Sequence, residues 1–328
     1  MCIRDRFYKR SEYSLRSSNK GKRLKISSNK VNLKVSNSLV SLVFDKENGS
    51  LLSYNFSDNE FIKSSPYTNF WRASIDNDYG NNLPLRSIEW KTASNSRQLE
   101  SIVTNKIDAN LVEVVVNYKL NNVGSNNKIT YTINSKGVLK VKNDLVYGGN
   151  LKDAQIPRFG MNFTIPEEYS DVVWYGRGPH ENYIDRKSSA FVGLYGSSVE
   201  DLGFDYSRPQ ENGYRTDVRW FKVSNKDKIG FEIRGEPLIS FSAHYNTIED
   251  FDDGLIPQKA GEKLAVRQRL VKMQRKPVDV PKRDFISLNI DLKQMGVGGD
   301  NSWGARTLPK YTINPGNYSY SFTLIPFN

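Results

Sequence analysis

Four stretches of this 328-residue chain concentrate side chains able to act on a polar ligand. They are Arg72-Ala73-Ser74-Ile75-Asp76-Asn77-Asp78-Tyr79-Gly80, Trp174-Tyr175-Gly176-Arg177-Gly178-Pro179-His180-Glu181-Asn182-Tyr183, Pro209-Gln210-Glu211-Asn212-Gly213-Tyr214-Arg215, and Met295-Gly296-Val297-Gly298-Gly299-Asp300-Asn301-Ser302-Trp303-Gly304. Each mixes glycine with polar or charged groups and aromatic or apolar ones. A pyranose suits that mixture: its C–H face packs on an aromatic ring, and Asp, Glu, Asn and Arg grip its hydroxyls. The same residue types also build tight turns in which Asp and Asn satisfy local backbone groups, and the residues alone leave both readings open.

Hydrolysis of a glycoside needs two carboxyl groups about 5 to 10 Å apart, one of them protonated. Asp76 with Asp78, Glu181 with Asp185, and Glu211 are the candidates. Each is explained equally by turn architecture or by ion pairing with Arg72, Arg177, Arg186 and Arg215. A hydrolase complete within this chain stays open on the residues alone. The two histidines, His180 and His244, are too far apart in sequence for the helix-spaced pair of a catalytic zinc site. His180 reads as a loop residue bonded to its own turn, and His244 as a packed strand residue. Gly296 to Gly299 lacks the Lys-Ser/Thr ending of a phosphate loop, and Gly176-Arg177-Gly178 is too short for a dinucleotide site. There is no Gly-x-Ser-x-Gly elbow. The single cysteine, Cys2, allows no intrachain disulfide and no thiolate metal cluster, which leaves the redox compartment open.

Lys and Arg number 47 against 36 Asp and Glu, a net charge of +11, while 38% of residues are apolar and 12% aromatic. That is too apolar for a disordered polyelectrolyte, and a chain of this length buries a large core. The basic residues gather at 4–30 and 259–282, both poor in strand pattern, and they read as solvated surface; no nucleic-acid partner is expected. No apolar run approaches the roughly 20 residues of a membrane span, so no membrane partner is expected. A cytoplasmic location is the default expectation in the absence of an export signal, and a periplasmic one would follow from a leader ahead of the first residue.

The elements that must position the four stretches are short strands. Residues 1–30, rich in Arg, Lys, Ser and Asn, read as a linker or the tail of a preceding domain, partly artefactual at the opening Met-Cys-Ile-Arg-Asp-Arg; residues 31–328 read as one domain. Runs at 39–44 and 50–56 flank Asn48-Gly49, the signature of a hairpin. Further strands are expected over 88–93, 99–105, 111–120, 128–133, 138–145, 158–165, 171–175, 216–224, 229–234, 239–245, 285–292 and 319–325. Helical signals are rare, the best being a basic excursion over 257–276. The fold class is therefore all-β, with two packed antiparallel sheets.

At the four stretches the chain resembles the carboxy-terminal domain, or small chain, of the β-galactosidases of glycoside hydrolase family 2. The residues that carry this are Arg72-Ala73 with Asp76-Asn77-Asp78, Gly176-x-Gly178-Pro179-x-Glu181-Asn182-Tyr183-x-Asp185-Arg186, Pro209-x-Glu211-Asn212-Gly213, and Met295-Gly296-x-Gly298-Gly299-Asp300-x-Ser302-Trp303, in that order. The resemblance runs from about residue 35 to 327. It implies a β-supersandwich of two large antiparallel sheets, similar to galactose mutarotases, beside a TIM barrel that this chain lacks. In the family that barrel holds both catalytic glutamates and the magnesium and sodium sites, so this chain is expected to supply no catalytic residue and to bind no metal. The implied partners are the barrel portion, in the same or a separate chain, a galactoside substrate, and further copies in an oligomer. Trp303 occupies the position of the family's substrate-facing indole. Asp300, Asn301, Glu211, Asn212, Arg215, Glu181 and Asn182 are implied as support for the pocket loops. The basic stretch at 255–277 departs from the family, and nothing is carried over to it. Other readings of the same residues are a non-catalytic carbohydrate-binding module and an aldose-epimerase-like enzyme.

Overall fold

Strand formation follows the alternation of the sequence. In Leu111–Leu120, Val112, Val114, Val116, Tyr118 and Leu120 point one way and are buried, while the intervening Glu113, Asn117 and Lys119 lie toward the other face. A computed structural model describes residues 15, 22–149, 151, 154–252, 276–301 and 304–328. Among them, β1 (Lys25–Ser28), β2 (Asn32–Ser36), β3 (Val40–Asp45), β4 (Leu51–Phe56) and β5 (Asn59–Glu60) form a five-stranded antiparallel meander. Within the first thirty residues, β1 already pairs with β2, and Leu24 is buried. The expected hairpin is β3–β4. Its Gly49 has φ 75°, and a Cβ there would come within 2.5 Å of Val116 Cγ1, so this turn needs glycine both for its backbone and for its packing on Val116.

The second sheet has twelve strands: β6 (Ser64–Asn69), β7 (Gln98–Lys106), β8 (Leu111–Leu120), β9 (Ser125–Asn134), β10 (Leu139–Tyr147), β11 (Arg158–Pro166), β12 (Asp171–Gly178), β13 (Phe191–Ser198), β14 (Arg215–Ser224), β15 (Gly230–His244), β16 (Phe285–Gln294) and β17 (Tyr318–Phe327). It branches at β15, which is 15 residues long. The first half of β15 pairs with β17, and through it with β10, β9, β8 and β7; the second half pairs with β16, and through it with β11 and β6. Pro237, which has no N–H to give a ladder, sits between the two halves. The two arms then face each other. Thr68 of β6 donates to Asn127 of β9 at 2.7 Å, and Asn143 of β10 donates to the Gly160 carbonyl of β11 at 3.4 Å. This is the expected all-β architecture of two curled antiparallel sheets around one aromatic-rich core.

Two expectations need correction. Residues 88–93, read as a strand because Ile88, Trp90 and Thr92 alternate with Glu89 and Lys91, are helical. They form α3 (Ile88–Ala93), the last of three short helices after α1 (Asp76–Gly80) and α2 (Leu83–Arg86). Burial chooses the period here: Trp90 and Ala93, three apart, are the buried pair, and the Trp90 indole donates to the Ala154 carbonyl at 3.0 Å. The strands expected at 229–234 and 239–245 are the two halves of one strand, β15. The basic excursion lies almost wholly outside the described residues, which exclude 253–275; α4 (Ile248–Phe251) precedes it. No helix among the described residues is long and apolar enough to cross a membrane.

Trp90 packs its ring on Phe70 and Tyr147, with centroids 5.2 and 6.1 Å away. Trp90→Ala is expected to cost about 3–5 kcal/mol, read as a lowered midpoint in urea denaturation; a loss below about 1 kcal/mol would contradict the packing described.

Candidate functional site

One apolar residue from each of the four polar stretches meets its counterparts in a small buried cluster: Ile75, Tyr183, Tyr214 and Val297. Tyr183 and Tyr214 stack with centroids 5.7 Å apart. Segments spread over more than two hundred residues of sequence thus form one unit at one end of the large sheet. The polar groups around the cluster show how.

The first stretch grips the fourth. Arg72, 1% exposed, makes a bidentate pair with Asp78, Nε to Oδ2 at 3.1 Å and Nη2 to Oδ1 at 2.9 Å. Its remaining N–H groups donate to the carbonyls of Met295 at 2.8 Å and Gly296 at 3.1 Å and to Gln294 Oε1 at 3.3 Å. Asp78 also accepts from the Ile75 amide at 3.1 Å, capping the start of α1 with the same carboxylate that fixes Arg72. Asn77 adds a bond to the Val297 carbonyl at 3.2 Å. Just past the second stretch, Asp185 accepts the amides of Val297 at 3.0 Å and Gly298 at 2.8 Å. A Cβ on Gly296 would lie 2.5 Å from the Asp185 carboxyl carbon, so glycine is required for that approach. Gly304, at φ 82°, packs directly against Gly80 at the end of α1. The loop of the fourth stretch is thereby anchored on both sides, at 296–298 and at 304.

The third stretch is held from beneath. Arg158, at the start of β11 and fully buried, pairs with Glu211 Oε1 at 2.5 Å and with Asp291 Oδ2 at 3.1 Å. Gln294 donates to the same Glu211 oxygen at 2.9 Å, which links this group to Arg72. Burial raises the pKa of Glu211, against the opposing pull of Arg158 and Arg72. Burial also raises that of Asp291, to about 7. Glu181 accepts from the Gly213 amide at 2.8 Å and from the Tyr206 hydroxyl, and it pairs with Arg186 at 3.1 Å. Asn182 Oδ1 accepts from the Thr216 amide at 3.0 Å and hydroxyl at 2.6 Å. Arg215 donates to the carbonyls of Leu202, Gly213 and Pro179 at 2.7, 2.8 and 3.0 Å, and burial lowers its pKa to about 10. Asn212 accepts from the Phe204 amide at 3.0 Å, and its carbonyl lies 3.0 Å from His244 Nε2. Burial lowers the pKa of His244 to about 4, so the ring is neutral near pH 7 and donates that bond from Nε2. Arg208 stacks over Tyr79 at 3.9 Å and pairs with Asp76 at 3.3 Å, closing the ring back to the first stretch.

Glu181, Asn182, Glu211, Asn212 and Arg215 are thus brought together, each bonded to a neighbouring segment. Asp300 and Asn301 sit on the exposed loop, where Asn301 Oδ1 accepts from the Ala305 amide at 3.4 Å. Trp303 and Ser302 lie outside the described residues. Of the expected ion pairs, Arg72 takes Asp78 and Arg186 takes Glu181. Arg177 instead binds Asp217 at 2.5 Å, and Arg215 binds carbonyls. The partner of Glu211 is Arg158, which, like Asp291, the sequence places only within an expected strand, while Gln294 falls two residues past one. A single charge inside each of two apolar strand patterns was the available signal. His180 is exposed, with its ring 3.2 Å from Ser189 Oγ. Among the described residues no group of three or more His, Cys, Asp or Glu is arranged to hold a metal. The candidate carboxylates are committed to amides and guanidinium groups, an arrangement that shapes a surface.

The family model of the β-galactosidase small chain matches residues 36–324. Curated relatives include a β-galactosidase of Priestia megaterium, 35% identical over 304 residues, covering 92% of this chain and 27% of the relative. One of Halalkalibacterium halodurans is 29% identical over 293 residues, 88% of this chain and 27% of the relative, and one of Streptococcus thermophilus is 28% identical over 291 residues, 88% and 26%. The chain thus spans about a quarter of the length of the relatives it matches. Among solved structures, a putative aldose 1-epimerase of Escherichia coli K12 aligns with a TM-score of 0.45 and 9% identity over 93% of this chain and 99% of that one. A galactose mutarotase related enzyme of Lactobacillus acidophilus gives 0.46 and 9% over 90% and 97%.

Removing Arg72 strands Asp78 in the interior, so Arg72→Met is expected to cost about 3–5 kcal/mol in chemical denaturation; a neutral effect would contradict the role given to the pair. For His244 the folded pKa of about 4 lies below the ordinary value of 6.5, so the unfolded state binds the extra proton between them. Folding stability of the natural chain relative to His244→Gln is expected to rise as pH goes from 4 to 6.5, and a flat difference across that window would refute the assignment.

Proposed function

The chain belongs to the β-galactosidase small-chain family, and from that premise we propose that it forms one wall of the sugar pocket of a β-galactosidase whose bond-breaking carboxylates lie outside it. The observation that carries the reading is the clamped fourth stretch: Asp185 on the Val297 and Gly298 amides, Arg72 on the Met295 and Gly296 carbonyls, and Gly304 seated on Gly80. Rigid anchoring on both sides of a glycine-rich loop suits presentation of a side chain to a ligand, and Trp303 is the residue in that loop able to stack on a galactose C–H face.

On this reading the intact enzyme hydrolyses terminal β-D-galactosyl residues, as in lactose, with retention of configuration. One glutamic acid protonates the glycosidic oxygen and a second glutamate attacks C1, both supplied by the catalytic barrel portion. Magnesium and sodium go with that portion too. This chain binds and orients: its supports hold the loop, and the loop closes one side of the pocket against water. The isolated chain is inactive.

The experiment is a lactose hydrolysis assay of the chain alone and joined with the catalytic portion of a family enzyme. No turnover is expected from the chain alone. In the joined enzyme, Trp303→Ala should lower kcat/KM about fivefold, equivalent to roughly 1 kcal/mol of lost stacking, and Asp185→Ala should cause a comparable loss by releasing the loop. Turnover by the chain alone, or unchanged kinetics in both variants, would sink the proposal.

A further inference from the structure

The buried groups beneath the third and fourth stretches do not balance in charge. Asp78, Arg72, Gln294, Glu211, Arg158 and Asp291 form one connected chain, each 7% exposed or less. It contains two guanidinium groups and three carboxyl groups, and burying the uncompensated negative charge would be costly. The hydrogen bonds show which carboxyl group is left over. Asp78 accepts three, from Arg72 Nε and Nη2 and from the Ile75 amide. Glu211 accepts two, from Arg158 and Gln294. Neither oxygen of Asp291 accepts a well-aligned hydrogen bond among the described residues; the Arg158 guanidinium and the Tyr214 phenol lie beside it and pull its pKa down, against the larger effect of burial.

The surroundings of Asp291 compensate its charge only in part. From β11 it meets Arg158 and the bare backbone of Gly160, where a Cβ would collide with its Oδ1. From the third stretch it meets Glu211, of like charge, and the phenol of Tyr214; from β17 it meets Tyr320. Ser240 on β15 is its strand partner. Among the described residues around Asp291, Arg158 is the one cation, and it is shared with Glu211.

We infer that Asp291 is a positioning residue that carries a proton in the folded protein near neutral pH, so that Arg158 spends its full charge on Glu211 and locks the segment bearing Glu211 and Asn212 under the fourth-stretch loop. The proton is taken from solvent during folding, onto a carboxylate oxygen, and no other bond changes. When it is lost, the cluster gains a negative charge, Arg158 is divided between two carboxylates, and the grip on Glu211 weakens. The upward displacement of the Asp291 pKa to about 7, from burial, agrees with this. The consequence for a sugar pocket rests on the function proposed above; the protonation itself does not.

The sign follows from linkage. Between the ordinary carboxyl value of 3.8 and about 7 the folded state holds a proton that the unfolded state has lost. The folding equilibrium constant of the natural chain, relative to Asp291→Asn, should therefore fall about tenfold per pH unit across that window. The contribution of His244 is common to both proteins and cancels. Infrared spectra of the chain at pH 6 should show the carbonyl stretch of a protonated carboxyl group that Asp291→Asn lacks. An absent band, or a flat stability difference, would overturn the protonation. In the joined enzyme, the KM for lactose should rise above pH 7 while the Asp291→Asn enzyme, permanently neutral at this position, shows no such rise. A protonated carboxyl group with identical KM profiles in the two enzymes would overturn the positioning role while leaving the pocket assignment to the Trp303 test. Arg158→Lys provides a further check, because an ammonium keeps the charge but loses the planar fork: weakened lactose use with the pH response retained is expected, and unaltered KM would count against the lock.

Discussion

Two buried arginines decide how this protein is put together at its functional end. Arg72 and Arg158 are fully desolvated, and each is tolerable in the interior only because of the groups it meets: Asp78 and the Met295 and Gly296 carbonyls for Arg72, the Glu211 and Asp291 carboxyl groups for Arg158. That requirement works as a constraint on the chain. Arg72 cannot be satisfied unless the backbone around Met295 and Gly296 lies within reach, and Arg158 cannot be satisfied unless Glu211 and Asp291 do. The apolar cluster of Ile75, Tyr183, Tyr214 and Val297 supplies favourable burial, but apolar contact is indifferent to small shifts, whereas bidentate pairs and amide–carboxylate bonds are not. The charged frame therefore sets the geometry of the loops and the rings fill it.

The frame depends in turn on the branching of the large sheet at β15. A single long strand whose two halves choose different neighbours brings β6 and β11 over β9 and β10. Arg158 and Asp291 lie at corresponding ends of β11 and β16, beneath the third stretch. Glycine serves this arrangement where backbone must come close: Gly160 against Asp291, Gly296 against Asp185, and Gly304 against Gly80. In each case a methyl group would displace a charged group or a neighbouring backbone from the network.

Most strands could be read directly, because one-sided burial imposes a period of two on residues such as those of β8 and β9. The failures have physical causes. At α3 the local alternation of Ile88, Trp90 and Thr92 imitates a strand, and only the position of the Ala154 carbonyl and the Phe70 ring selects the helix. In β6 the proline at position 66 and in β13 the glycines at 193 and 196 weaken the pattern; β13 is an edge strand, and β6 closes its arm of the sheet. The four polar stretches stood out because glycine, carboxylate, amide and aromatic residues rarely crowd together without either a turn or a ligand to explain them. Here they build turns whose purpose is to hold one another.

What the sequence determined by itself was the class of fold, the main hairpin, and the four segments that matter, since alternation, turn residues and local composition are properties of neighbouring residues. Pairing belongs to the tertiary structure. Arg158 reaches Glu211 across 53 positions and Arg72 reaches Gln294 across 222, and nothing local distinguishes those partners from other arginines and acids. Only the register of β11 on β16, and the fold-back of the two arms from β15, bring specific charges within hydrogen-bonding distance in a medium where an unpaired one is costly.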